Sequence, residues 1–275
     1  MTPLIHHDRI YRIDSTNRVR RQPCAPVHGR VGTLDFYRNH LLLPIGAALG
    51  LSVILMLLHG DFWLADRFYA LQGHAWTLKV NPLTESLIHA GGRAASAVAW
   101  LLVAAACLWS YFDVRLASWR RPLAYLALTT VLAASLVAGL KSVSGMDCPW
   151  DLARYGGDRA FVSLFEPRPD TMPTATCFPA GHASAGYAWV TLYFFFLATR
   201  PRLRWAALAS ALAVGATFGF AQQLRGAHFL SHDVWTLMTC WLVALGSYLA
   251  FFKHAPGRST VASTVDRPVP TGAGW

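Results

Sequence analysis

Three short polar stretches break an otherwise apolar chain, and together they hold the residue types that move phosphoryl groups. The first, 222–233, reads Gln-Gln-Leu-Arg-Gly-Ala-His-Phe-Leu-Ser-His-Asp and carries Gln222, Arg225, His228, His232 and Asp233. The second, Phe178–His182, contains Pro179-Ala180-Gly181-His182, and the third, Lys141–Pro149, opens on a lysine. Phosphoryl transfer needs cations around the equatorial oxygens, a nucleophile in line and an acid for the leaving oxygen. Lys141 and Arg225 can supply the charge, with Arg154 or Arg159 as helpers. Imidazole titrates near neutral pH, so His182 or His228 can attack phosphorus or protonate a leaving group. A nucleophilic histidine needs its other ring nitrogen held by an acceptor; Asp233 is the nearest acid, and His232 can serve in the right tautomer. Asp233 can equally cap the helix that follows. The Pro-Ala-Gly-His turn opens an apolar run, where free N–H groups and the helix dipole favour an anion. Gly181 lets the backbone approach that anion closely.

The elements that must position these groups are membrane helices. The 275-residue chain is 54% hydrophobic and only 14% charged, whereas a soluble domain carries about 25% charged residues. Its apolar residues fall in runs near the length that crosses a bilayer, roughly 20 residues. Six spans are expected: Leu41–Leu58, Ala94–Phe112, Leu123–Leu140, Ala183–Thr199, Trp205–Ala221 and Val234–Phe252. Residues 1–40 read as an Arg-rich cytoplasmic tail, 41–252 as the six-helix membrane domain with a long loop over 141–182, and 253–275 as a disordered cytoplasmic tail. The segment between the first two spans, with Trp63, Trp76 and Pro82, suits the membrane–water interface. No secretory signal peptide is recognised.

The net charge of +10 raises nucleic acid as a partner, but its distribution argues against one. The two tails and the loops 113–121 and 200–204 hold 16 Lys/Arg against five acids. Segments 59–93, 141–182 and 222–233 hold eight against nine. The positive-inside rule puts the first set, and so both termini, in the cytoplasm. All three polar stretches then meet on the outer side. The basic surplus orients the protein and contacts membrane lipids.

With these residues in order, the chain resembles the type 2 phosphatidic acid phosphatase superfamily over roughly 120–250. That family's pattern is K-x6-R-P, P-S-G-H and S-R-x5-H-x3-D. The corresponding residues are Lys141-x6-Cys148-Pro149, then Pro179-Ala180-Gly181-His182, then Ala221-Gln222-x5-His228-x3-His232, with Asp233 one place later. The resemblance implies an all-α integral membrane protein in which His228 forms a phosphohistidine, His182 is the general acid and Lys141 binds phosphate. Two motif arginines are absent, at Cys148 and Gln222. Arg225, about one helical turn on from Gln222, and Arg154 are the candidates to replace them.

Cys148 and Cys177 bracket the long loop on the expected oxidising side and are expected to form a disulfide. No cofactor is expected. His228 and His232 stand i, i+4, and with His182 would make a three-His metal set, but no carboxylate ligand joins them and no metal is expected. The expected activity is a phosphatase for a lipid phosphate or diphosphate in a bacterial inner membrane, its site facing the periplasm. The alternatives are a lipid-to-lipid phosphotransferase, for example from undecaprenyl diphosphate to lipid A, and a silent protein that binds lipid headgroups. Oligomeric state is left open.

Overall fold

The computed structural model describes residues 33–82, 84, 90–164 and 166–253, together with a small antiparallel strand pair, Tyr11–Ile13 with Val19–Arg21. The remainder of the Arg-rich tail, and the expected disordered tail beyond Lys253, lie outside the described residues.

The domain is helical. Its principal helices are α1 (Leu34–Leu57), α2 (Gly60–Leu71), α3 (Gly92–Phe112), α4 (Val114–Val143), α5 (Ser184–Thr199), α6 (Pro201–Leu224) and α7 (Leu230–Phe252). Five of these, α1, α3, α4, α6 and α7, are long and apolar enough to cross a membrane. The fourth expected span appears as α5, a shorter apolar helix. Helices α1, α3, α4, α6 and α7 start earlier than their apolar runs suggest, and α5 starts one residue later. Helix α1 begins at Leu34, inside the expected tail, because Thr33 accepts a hydrogen bond from the Phe36 amide and caps it. Helix α7 begins at Leu230, so Asp233 is not its cap but lies in its first turn.

The packing is that of a protein immersed in lipid. Large apolar side chains such as Leu102, Trp109, Phe112, Leu132 and Leu136 are exposed, while Thr129, Thr130, Thr191 and Thr236 are buried. Lipid supplies no hydrophobic drive between helices, so close van der Waals approach and interhelical hydrogen bonds hold them. Gly186 of α5 meets the backbone of Gly215 in α6, 2.5 Å from where a Cβ would sit. Tyr125 of α4 donates to the Ala244 carbonyl of α7 at 3.0 Å. His40 of α1 pairs with the Tyr193 hydroxyl at 2.9 Å, and Trp241 donates to the His40 carbonyl at 2.7 Å. The core fills with Tyr125, Val137, Val190, Phe194, Ala244 and Tyr248, from α4, α5 and α7.

At one end the helices are braced by α2 and the long loop. Arg154 grips Asp66 with two hydrogen bonds, 2.8 and 2.6 Å, and the Tyr155 hydroxyl donates to the same carboxylate at 2.8 Å. Asp147 is almost fully buried and accepts from both Arg159 and Arg168 at 2.7 Å. Phe62, Phe161 and Phe229 pack edge to face across the seam. Asp61 of α2 accepts the Ser231 amide at 3.0 Å. Phe229, the residue before α7, has no side-chain oxygen to cap that helix, so a carboxylate from another element does it.

Candidate active site

The braced end is where the three polar stretches meet. His228 lies in the tight turn between α6 and α7. That turn closes through Gly226, at φ +71°, where a Cβ would strike the Trp76 ring. Only glycine fits both the backbone angle and the ring. The Ala227 amide returns to the Gln222 carbonyl at 2.9 Å, and the Trp150 amide reaches Gly226 from the long loop at 2.9 Å.

His228 is buried, and its Nδ1 lies 3.3 Å from Nδ1 of His232. One of the two rings donates and the other accepts. His228 lies just outside α7, and the extended Phe229 between them, at φ −80° and ψ 162°, turns the His228 ring back onto His232 in the first turn of the helix. His232 is fully enclosed, edge-on to Phe178 at 5.3 Å and Phe229 at 5.5 Å. Asp233 points elsewhere. It accepts from Gln223 at 2.6 Å and fills the space over Gly219, where a Cβ would collide with its carboxylate.

The Pro179-Ala180-Gly181-His182 turn is pinned to α7 by two bonds. The Ala180 amide donates to the His232 carbonyl at 3.3 Å, and the Thr236 hydroxyl donates to the Ala180 carbonyl at 3.2 Å. This sets the His182 ring 6.4 Å from the His228 ring, centroid to centroid. Ser184 donates to the Gly181 carbonyl at 2.6 Å where α5 begins. Lys141 lies across Gly181: a Cβ there would stand 3.2 Å from Cδ and 3.6 Å from Nζ. Glycine at 181 therefore admits the lysine as well as any anion. Lys141, Gly181 and His182 line one end of a cleft of about 430 Å³.

Cys148 and Cys177 form a disulfide. The Cys177 sulfur stands 3.6 Å from His228 Nδ1 and 2.8 Å from the Ala227 carbonyl oxygen. A disulfide sulfur carries no proton, so these are packing contacts that wedge the turn in place. Cys177, His228 and His232 bring ligand atoms within 4.8 Å of one another. With the sulfur spent in the disulfide, only two imidazoles remain, fewer than a structural or catalytic zinc site uses.

The arginines sit apart from the histidines' polar contacts. Arg154 is held by Asp66, Arg159 and Arg168 by Asp147, and Arg225 donates to the Lys79 carbonyl at 3.0 Å and to Gln222 at 3.5 Å. Arg154, through its hydrogen bonds, keeps the Asp66 carboxyl below the usual carboxylate range. Burial, and then the neighbouring His232, Lys141 and His182, hold the His228 imidazole well below its ordinary range. His228 is thus neutral, with Nδ1 engaged and Nε2 left for chemistry.

Residues 122–256, from α4 through the end of α7, match the family model described as the PAP2 superfamily. The chain belongs to the PAP2 superfamily. Neither a curated protein nor a solved structure matches it. The matched interval contains Lys141, His182 and His228 together with the disulfide. PAP2 membership points to a phosphatase-type function, and the five long apolar helices point to a membrane protein. Helices α1, α2 and α3 lie before the matched interval. Sequence reasoning did not single out Asp61, whose capping role depends on a contact 170 residues away. Nor did it find Asp147 as the carboxylate that holds two arginines, although Asp147 adjoins Cys148.

Proposed function

We propose that this PAP2 protein is a phosphatase for a lipid phosphate or diphosphate, working through a phosphohistidine on the outer face of a bacterial inner membrane. The observation that carries the reading is the His228–His232 pair facing His182. His228 Nε2 attacks phosphorus and forms a P–N bond as the P–O bond to the leaving group breaks. His182 donates a proton to the departing oxygen. Water then attacks phosphorus, His182 takes its proton, and the P–N bond breaks to free phosphate. His232 fixes the His228 tautomer where the family pattern has an aspartate. Lys141 and the amides that open α5 neutralise the phosphoryl oxygens. In this reading α5 crosses with the five longer helices, which brings both termini to the basic, cytoplasmic side. No metal enters these steps.

The test is phosphate release from undecaprenyl diphosphate by purified protein in detergent, with and without lipid A. Wild type releases free phosphate, and His228→Ala loses at least about 10³-fold in rate. Label that moves to lipid A with no free phosphate would make the protein a phosphotransferase. Equal rates in wild type and His228→Ala would overturn the mechanism.

A further inference from the structure

We propose that Arg93 is the second phosphate-binding cation of this site, and that the cleft behind it takes the hydrocarbon chain of the lipid phosphate. The inference rests on the reading of the site as one for lipid phosphates. It starts from a deficit of charge. A phosphate monoester carries about −1.5 to −2 at neutral pH. Lys141 supplies a single positive charge, and neither motif position that would hold an arginine does so: Cys148 is in a disulfide and Gln222 is buried beside Arg225.

The other nearby arginines are already engaged. Arg154 has a bidentate bond to Asp66, Arg159 and Arg168 share Asp147, and Arg225 is held by the Lys79 carbonyl. Arg93 is different. It is exposed at the start of α3, makes no salt bridge among the described residues, and lines the same cleft as Lys141, Gly181 and His182. Its position is fixed from both sides. Gly92 lies flat against Phe218 of α6, 2.5 Å from where a Cβ would sit. Ser96 donates to the Ala185 carbonyl at 2.8 Å and accepts from Trp189 at 2.9 Å, which ties α3 to α5 one turn below Arg93.

Away from this charged end the cleft changes character. Ala97, Val131, Ala134, Ala185 and Ala188 form small apolar walls between α3, α4 and α5. Trp100 lines the cleft as well and donates to the Ala127 carbonyl at 3.0 Å. Along α4 the lining runs from Lys141 to Thr130, roughly 16 Å at the helical rise. Two cations at one end of a narrow apolar slot match an amphiphile with an anionic head and a single thin chain.

The experiment uses the full-length protein in detergent micelles, with undecaprenyl diphosphate and the short, soluble dimethylallyl diphosphate as substrates. Arg93→Gln is expected to raise KM for both roughly tenfold with little change in kcat, as loss of one charged hydrogen-bond donor does. Arg93→Lys should recover most of the loss. Ala134→Phe narrows the slot and should lower the kcat/KM ratio of long over short substrate at least about fivefold. An unchanged KM in Arg93→Gln, or an unchanged ratio in Ala134→Phe, overturns the proposal. Equilibrium binding of radiolabelled undecaprenyl diphosphate is measured in parallel. If wild type turns over neither substrate, the phosphatase reading fails, and weaker binding by Arg93→Gln than by wild type still decides whether Arg93 holds the headgroup.

Discussion

At the scale of single residues, the proposed mechanism gives two imidazoles the work of the imidazole and carboxylate in the family pattern, and the exchange has consequences for pH. A His228 imidazole enclosed in protein, with His232, Lys141 and His182 beside it, resists protonation. In the proposed mechanism its neutral form is the nucleophile, so activity is complete above its pKa and falls as pH drops through it. Because that pKa is lowered, the acid limb of kcat/KM assigned to His228 should lie below pH 6.5, the ordinary imidazole value; a pH–rate profile measures it, and a limb at or above 6.5 would contradict the burial argument. His232 has a separate signature. Its Nδ1 contact with His228 can be kept by an amide and not by a methyl group. His232→Asn should therefore retain more kcat than His232→Ala, which is expected to lose about 10²-fold or more. Equal losses would mean that His232 only fills space between Phe178 and Phe229.

At the scale of elements, the site is held by connections that do not follow the chain. The Pro-Ala-Gly-His turn hangs from α7 by Thr236 and the His232 carbonyl, and α7 is capped by Asp61 of α2. The disulfide closes a separation of 29 residues and pushes its Cys177 sulfur against the His228 turn. A loop of that length is worth about 3–4 kcal/mol in chain entropy. The double variant Cys148→Ala/Cys177→Ala should melt at a lower temperature in detergent and also lose kcat, because the wedge behind His228 goes with the bond. Thermal unfolding and turnover on the same preparation test this; a lower melting temperature with kcat intact would leave the bridge a purely structural role. The motif spacing made the histidines and the lysine legible, because each lies at or beside the end of a helix that the apolar runs mark. It left undecided which of His232 and Asp233 meets His228, since one residue is about 100° of helix and the start of α7 sits four residues before the apolar run. The Asp61 cap and the Asp66–Arg154 clasp had no local signature, being made between residues far apart in sequence.

At the scale of the whole molecule, apolar runs located five helices long enough to cross a bilayer, because bilayer thickness is an external ruler. They missed α2, whose mixed face of Asp61, Asp66 and Arg67 among aromatics lies under the long loop and carries no single apolar run. The charge asymmetry yields a topology that can be tested in intact cells. In chains carrying one new exposed cysteine, Ala160→Cys should react with a membrane-impermeant maleimide and Ala117→Cys should not. The reverse labelling would invert the protein in the membrane. Helix α5 carries a further implication if it spans with its neighbours. From Ser184 to Thr199 it is roughly 24 Å long, against a hydrocarbon layer of about 30 Å. Its outer end is level with those of its neighbours, since Lys141 near the end of α4 lies against Gly181 and the Ala180 amide bonds the His232 carbonyl in the first turn of α7, so the shortfall falls at the other end, where Arg200, Arg202 and Arg204 follow. Hydrophobic mismatch then falls on the side away from the site: a thicker bilayer must thin around the basic end of α5, while the level of His182 stays fixed by its ties to α4 and α7.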